Sequence, residues 1–384
     1  MTEPNLPPGA QAANLQLSGG AAIVAPVSAF PGGVPSNAVV LLPLNQPSDE
    51  LKAQLAKGPM AITPEQMWEL LGFNGPAVQV MDQEGRPIAI GLDDLLAGLE
   101  KNWNEAKDDL NRGRVYAQEL VKYGRLEQAE KVLAKVVAAG GMVGEDWLGL
   151  GVTQLQQEKW EKAEATLKGA QNLLKDNPFP TLHLAKVAKG KGDTAGERAL
   201  IEKAIGLDPK CVDAWAYLFT QVREGADEAA AIKAVTELAD TDANKTTAAP
   251  FIAVQGFYAN EEETRDKAME WAQKAVDRNA DDPLALVCLS ALHGQKGDLP
   301  KVISLLQPHE AKMARDVRLA NNYFEALFQS RQIDKVTKLL NALAGSPNRE
   351  VKQFAIERSR AVAQYLQQQQ RQVAQAASGG VAQR

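Results

Sequence analysis

The chain has 384 residues, 5% of them aromatic, with 42 Lys and Arg against 48 Asp and Glu, a formal net charge of -6. That balance is opposite to the basic excess of a general nucleic-acid binder, so no nucleic-acid partner is expected. Plentiful Ala, Leu, Gln, Lys and Glu suit stacked helices better than a sheet sandwich, and two distant cysteines, Cys211 and Cys288, predict neither a disulfide framework nor a zinc site.

Residues 1–48 are rich in Pro, Gly, Ala and Ser, show no sustained period and carry a single charge, Glu3. This composition predicts a disordered arm. The lack of a basic stretch predicts no secretory leader, and with unpaired cysteines it points to a cytoplasmic protein. The apolar run from Ala38 to Leu44 is too short to span a bilayer and contains Pro43, so no membrane insertion is expected. Still, AAIVAPVSAF and NAVVLLPLN hold more apolar residues than a spacer needs, which suits a segment that orders against a partner.

Residues 49–91 predict a small mixed α/β module. A short helix fits 49–57. In the next, Thr63-Pro64-Glu65-Gln66 supplies a capping hydroxyl, a first-turn proline and a capping-box glutamine, with Met67, Trp68, Leu70 and Leu71 following and Gly72 able to end the helix. Val78 to Met81 and Pro87 to Ile90 flank a loop containing Gly85, which predicts a hairpin.

From Leu92 the pattern is helical. Leu95, Leu96, Leu99 and Trp103 keep helical spacing, and Asp93 and Asp94 suit the positive end of a capping helix. A first helical pair follows over about 111–140, with Tyr116, Ala117 and Leu120, a turn at Gly124, then Ala129, Leu133 and Val136. The second pair, Glu145 to Pro178, is the clearest. Trp147, Leu150, Gly151 and Leu155 line one face of its first helix, and Trp160, Ala163, Leu167 and Ala170 repeat the pattern in its second. Gly151 and Ala163 let two backbones approach closely.

This pair resembles the tetratricopeptide repeat, a unit of about 34 residues with Trp, Leu and Gly in its first helix and Ala in its second. The same ending and restart recur at EKAIGLDPKCVDAWAYL and AQKAVDRNADDPLALVCLSAL. Further units are expected over 179–209, 212–245, 250–282, 283–310 and 316–347. Several depart from the motif: Gly113 stands where the first unit needs Trp, Glu197 and Val302 replace the second-helix alanine, and Phe219 replaces the small first-helix residue. The acidic run Glu261 to Glu263 is expected to lengthen the turn of the fifth unit. A polar-sided capping helix is expected over 348–372 and a disordered tail over 373–384, since an open array must cover its last apolar face. The fold class is therefore all-α, a solenoid of six or seven helical hairpins over 92–347.

No catalytic constellation stands out. There is no phosphate cradle, no His-Glu-x-x-His and no paired Cys spacing, and His183, His293 and His309 sit at no ligand spacing. No catalytic residue, metal or cofactor is assigned. The resemblance implies instead that the first helices line a concave groove for a protein or peptide partner. Carried over residue by residue, its lining positions are Val152 and Leu155, Lys186 and Lys189, Thr220 and Arg223, and Asn321 and Glu325. Lys186, Lys189 and Arg223 would form a cationic cluster for an acidic segment or a terminal carboxylate. The expected role is a non-catalytic scaffold or adaptor. The alternative is a structural component that self-associates or joins a larger assembly through its N-terminal arm or module.

Overall fold

The computed structural model describes residues 12–16, 22–26, 76–81, 87–140, 142–259 and 261–379, with backbone alone for 12–16, 22–26, 79–81, 87–89 and 373–379. The helices expected at 49–57 and 63–72, the hairpin loop and the apolar run from Ala38 lie outside the described residues. The chain divides into two compact units, 1–162 and 163–384.

In the first unit, β1 (Ala12–Gln16) pairs antiparallel with β2 (Ala22–Pro26), a regular pairing inside the segment whose composition shows no period. The hairpin expected further on is present. There β3 (Ala77–Met81) and β4 (Pro87–Gly91) pair antiparallel with Val78 opposite Ile90 and Val80 opposite Ile88. The chain then enters α1 (Leu92–Glu105), α2 (Leu110–Lys122), α3 (Leu126–Gly140), α4 (Gly144–Gln156) and α5 (Trp160–Leu173), within which the unit boundary falls. One core joins the module to the helices: Val78 and Leu92 pack with Leu96, Trp103, Tyr116, Leu120, Leu133 and Leu150.

The missing tryptophan of the first helical pair is replaced from outside it. A Cβ on Gly113 would stand 2.8 Å from Val136 and 2.9 Å from the Trp103 ring. Trp103, on α1 and 5% exposed, thus fills the site that a repeat tryptophan would occupy, and only a glycine leaves it room.

The second unit contains α6 (Pro178–Gly190), α7 (Thr194–Leu207), α8 (Val212–Gly225), α9 (Glu228–Ala239), α10 (Ala249–Tyr258), α11 (Arg265–Arg278), α12 (Pro283–Gln295), α13 (Leu299–Leu306), α14 (Glu310–Met313), α15 (Val317–Gln329), α16 (Ile333–Ala344) and α17 (Arg349–Gly379). Each helix packs on its chain neighbour to form a hairpin, and α8 on α10 or α12 on α15 joins one hairpin to the next. The contact points are small residues where the sequence places them. Ala185, Ala204, Ala231, Ala268, Ala272 and Ala275 are fully buried, and a single core runs from Leu182 to Val362.

The turns recur with the hairpins. Gly124, Glu158 and Gly192 hold positive φ at intervals of 34 residues, as do Gly297 and Arg331, and each stands between the two helices of a pair. A left-handed residue closes the first helix. An aspartate then caps the second where one follows: Asp193 accepts from the Gly196 N–H and Asp298 from the Lys301 N–H. The second-helix position held by Ala231 recurs 37 residues later at Ala268, and the excess of three lies in the turn that carries Glu261 to Glu263, as expected.

Several departures from the motif are resolved by their surroundings. Glu197, which replaces the second-helix alanine, is 4% exposed and accepts a hydrogen bond from the Tyr217 hydroxyl at 2.7 Å. Phe219 is buried with its ring centroid 5.1 Å from that of Phe257. Trp215 is fully buried and donates to the Pro209 carbonyl, whereas Trp147, at the same place in its repeat, is only half-buried. The capping helix α17 starts where expected, Asn348 accepting from the Glu350 N–H, but runs past residue 372 to Gly379.

Candidate interaction surface

The inner-face positions implied by the repeat fall on first helices in both units. In the first unit Val152 and Leu155 lie on α4, both half-buried, with Leu148 a turn earlier giving an apolar strip at i, i+4 and i+7. Other residues of α4 are committed to structure. Leu150 and Gly151 are buried, Gln154 donates to Glu130, and Lys159 reaches the same carboxylate at 2.6 Å. Burial opposes the Glu130 charge, yet these donors hold its carboxyl below the usual range.

In the second unit the expected cationic cluster is largely neutralised. Lys189 on α6 is bonded to Glu224 on α8, and Arg223 lies over the Phe257 ring with 4.2 Å to its centroid. Lys186 is exposed and makes no ion pair among the described residues. Thr220 is half-buried beside Phe219 in the sequence of α8. Asn321 and Glu325 on α15 are both taken by Arg358 of α17, which donates to Asn321 at 3.1 Å and pairs with Glu325 at 3.3 Å. The capping helix thus covers the seventh hairpin's share of the inner face.

The fifth hairpin closes its share differently. Every residue of α10 from Ala249 to Gln255 is buried, including Val254, which stands two 34-residue repeats after the exposed Lys186 of α6. The sequence pattern contained this signal. A first helix reading APFIAVQGFY is apolar on all sides, so it demands cover on all sides.

Several polar groups of the second unit are perturbed by burial. His183, one turn from Lys186, is pushed down to about 4 by burial and by the Lys186 charge, and its Nδ1 makes no hydrogen bond among the described residues. The Oε1 of Gln221 on α8 is likewise buried and unpartnered. Burial and the Glu197 hydrogen bond raise the Tyr217 hydroxyl far above its ordinary range. The two thiols follow suit: burial lifts Cys288 to about 11 and raises Cys211, the opposite of an activated nucleophile. Among the described residues no cluster of His, Cys, Asp and Glu could hold a metal ion, and no helix is long and apolar enough to cross a membrane.

Paired helices of 8 to 15 residues, small residues at their crossing and left-handed turns spaced 34 residues apart in two runs decide the fold. The array is built of tetratricopeptide-like repeats. No family model matches the chain, and no curated protein matches it. Among solved structures, it is similar to a chain of the APC/C hetero-tetramer Cut9-Hcn1, with 13% identity and a TM-score of 0.35 over 62% of this chain and 46% of that one. It is similar to YrrB, described as a TPR protein with an unusual peptide-binding site, with 21% identity and a TM-score of 0.31 over 52% of this chain and 97% of that one. For yeast Tom70 the values are 14%, 0.31, 67% and 60%. The chain therefore spans less than half the length of the Cut9-Hcn1 chain it matches. The tetratricopeptide-like fold rests on its own recurring geometry.

Proposed function

We propose that the chain is a non-catalytic scaffold or adaptor that binds a protein or peptide on the inner face of its tetratricopeptide-like hairpins. The observation that supports this reading most is how the inner-face positions divide. Those of the fifth and seventh hairpins are closed by the protein's own side chains, whereas Lys186 is left exposed one turn from the largely buried His183 on α6. A cation without a carboxylate, close to a buried imidazole nitrogen that has no partner among the described residues, favours an acidic ligand group. Lys189 and Arg223 contribute less, because Glu224 and Phe257 already engage them.

The test is a peptide array probed with the full chain and with Lys186→Glu. Acid-containing peptides should be retained by the parent and lost on charge reversal, with Lys189→Glu weaker in effect. Retention of the same peptides by Lys186→Glu would move the site off α6. Partner identity then follows from cross-linked recovery with the two proteins in parallel.

A further inference from the structure

The second helix of the sixth hairpin is broken. Its counterparts α7, α9, α11 and α16 run for 12 to 14 residues, but α13 stops after 8, at Leu306. Pro308 accounts for the stop, because it has no N–H for the Ser304 carbonyl and its ring crowds that oxygen. One 3-10 turn, Gln307–His309, leads into the 4 residues of α14. Beside the break, between α14 and α16, lies a cavity of about 340 Å³. Its floor is Tyr323 with Leu339 and Leu343, between 1% and 7% exposed, and its rim is Ala311, Ala314 and Ala342. The walls are fixed before anything enters. The Tyr323 hydroxyl donates to Glu310 at 2.9 Å, Lys312 donates to Asp281 at 2.6 Å, and the Ser346 hydroxyl donates to the Ala314 carbonyl at 2.6 Å. Lys335 and Lys338, one turn apart on α16, also line the cavity. Both are exposed, and neither has a carboxylate partner among the described residues.

We infer that this cavity docks an acidic peptide segment of a partner protein, which puts one large apolar side chain on the floor of Leu339 and Leu343 and a carboxylate on Lys335 and Lys338. Charge and shape choose this occupant. An apolar cavity of roughly 150 Å³ already takes a benzene ring, so this one takes an aromatic or branched aliphatic side chain with part of its main chain. Two ammonium groups without counter-charges favour an anion beside that anchor. Glu310 on the facing wall repels an anion, which directs the acid to the α16 side. Ala311 and Ala342 are exposed at the rim, so a main chain can approach closely there, whereas a free acyl chain laid in the cavity would keep one side in water. None of these residues belongs to the inner face, so this site and inner-face binding stand or fall separately.

The probe is a pool of capped peptides on a Gly-Ser background, each carrying one Leu or Phe and two Glu at varied spacing. It is passed over the immobilised full chain carrying Lys186→Glu, which removes the inner-face cation. Peptides with an acid close to the apolar residue should be retained, and their Gln-for-Glu counterparts should pass through. Adding Lys335→Glu and Lys338→Glu should weaken retention by about tenfold or more. Ala342→Trp, which fills the cavity's rim with an indole, should abolish it. These positions are exposed, so far-ultraviolet spectra should stay unchanged. No enrichment of acid-containing peptides, or equal retention by the lysine double variant or by Ala342→Trp, would overturn the site. Decanoate binding to the cavity with no peptide retained would give it to a small amphiphile and overturn the peptide assignment.

Discussion

At the scale of single residues, the backbone conformation of the turns matters more than their side chains. Gly124, Gly192 and Gly297 adopt φ near +75° without cost, but Glu158 and Arg331 hold φ of 56° and 57° with a Cβ in place. A side chain in this region costs roughly 1–2 kcal/mol, and glycine loses roughly 0.5–1 kcal/mol of that advantage through its looser unfolded chain. Arg331→Gly is therefore expected to stabilise by about 0.5–1 kcal/mol, read as a raised urea midpoint. Gly113 is the opposite case. It lies in a helix with ordinary φ, but Val136 and Trp103 occupy the space of its Cβ. Gly113→Ala should lower stability by about 1–3 kcal/mol in the same titration, and unchanged stability would mean that Trp103 has room to retreat.

At the scale of elements, the second helix of several hairpins depends on its cap. Asp227 accepts from the Ala230 N–H at 2.7 Å at the start of α9, as Asp193 and Asp298 do for α7 and α13. Asp227→Ala should cost about 1 kcal/mol, with faster amide exchange concentrated in the first turn of α9. Hairpins are tied to their neighbours by ion pairs as well as by the core. Glu164 is held down to about 2 by hydrogen bonds from Lys168 on its own helix and from Lys191 beyond the end of α6. Such pairs recur, Lys267 to Glu228, Arg278 to Asp240 and Lys312 to Asp281 among them. They are largely exposed and orient the stack more than they stabilise it.

At the scale of the whole molecule, stability should depend on mild acid through His183. Its folded pKa of about 4 lies below the ordinary 6.5, so the unfolded chain takes up the proton first as the pH falls. Its contribution is complete above pH 6.5 and lost on the way down to pH 4, amounting to about 3 kcal/mol if the site stays closed. Urea titrations at several pH values should show this slope in the parent, and His183→Leu should flatten it. An equal slope in both proteins would place the acid sensitivity elsewhere.

The amino-acid sequence by itself determined the repeating unit, because a helical hairpin is specified locally. Apolar spacing sets each helix face, Ala163, Ala231 and Ala268 set where helices touch, and glycine or aspartate sets the turn, all within one 34-residue window. The hairpin of β3 and β4 and the insertion at Glu261 were legible for the same reason. What only the tertiary structure decided involves side chains on different helices. Trp103 fills the void at Gly113, Tyr217 satisfies the buried Glu197, and Arg358 occupies Asn321 and Glu325 from 33 or more positions away. The inner-face residues suffered most from this limit. Whether Lys186, Lys189 or Arg223 is available to a ligand depends on which carboxylate or ring the next hairpin brings beside it, and a pattern read within one window contains no information about its neighbour's side chains.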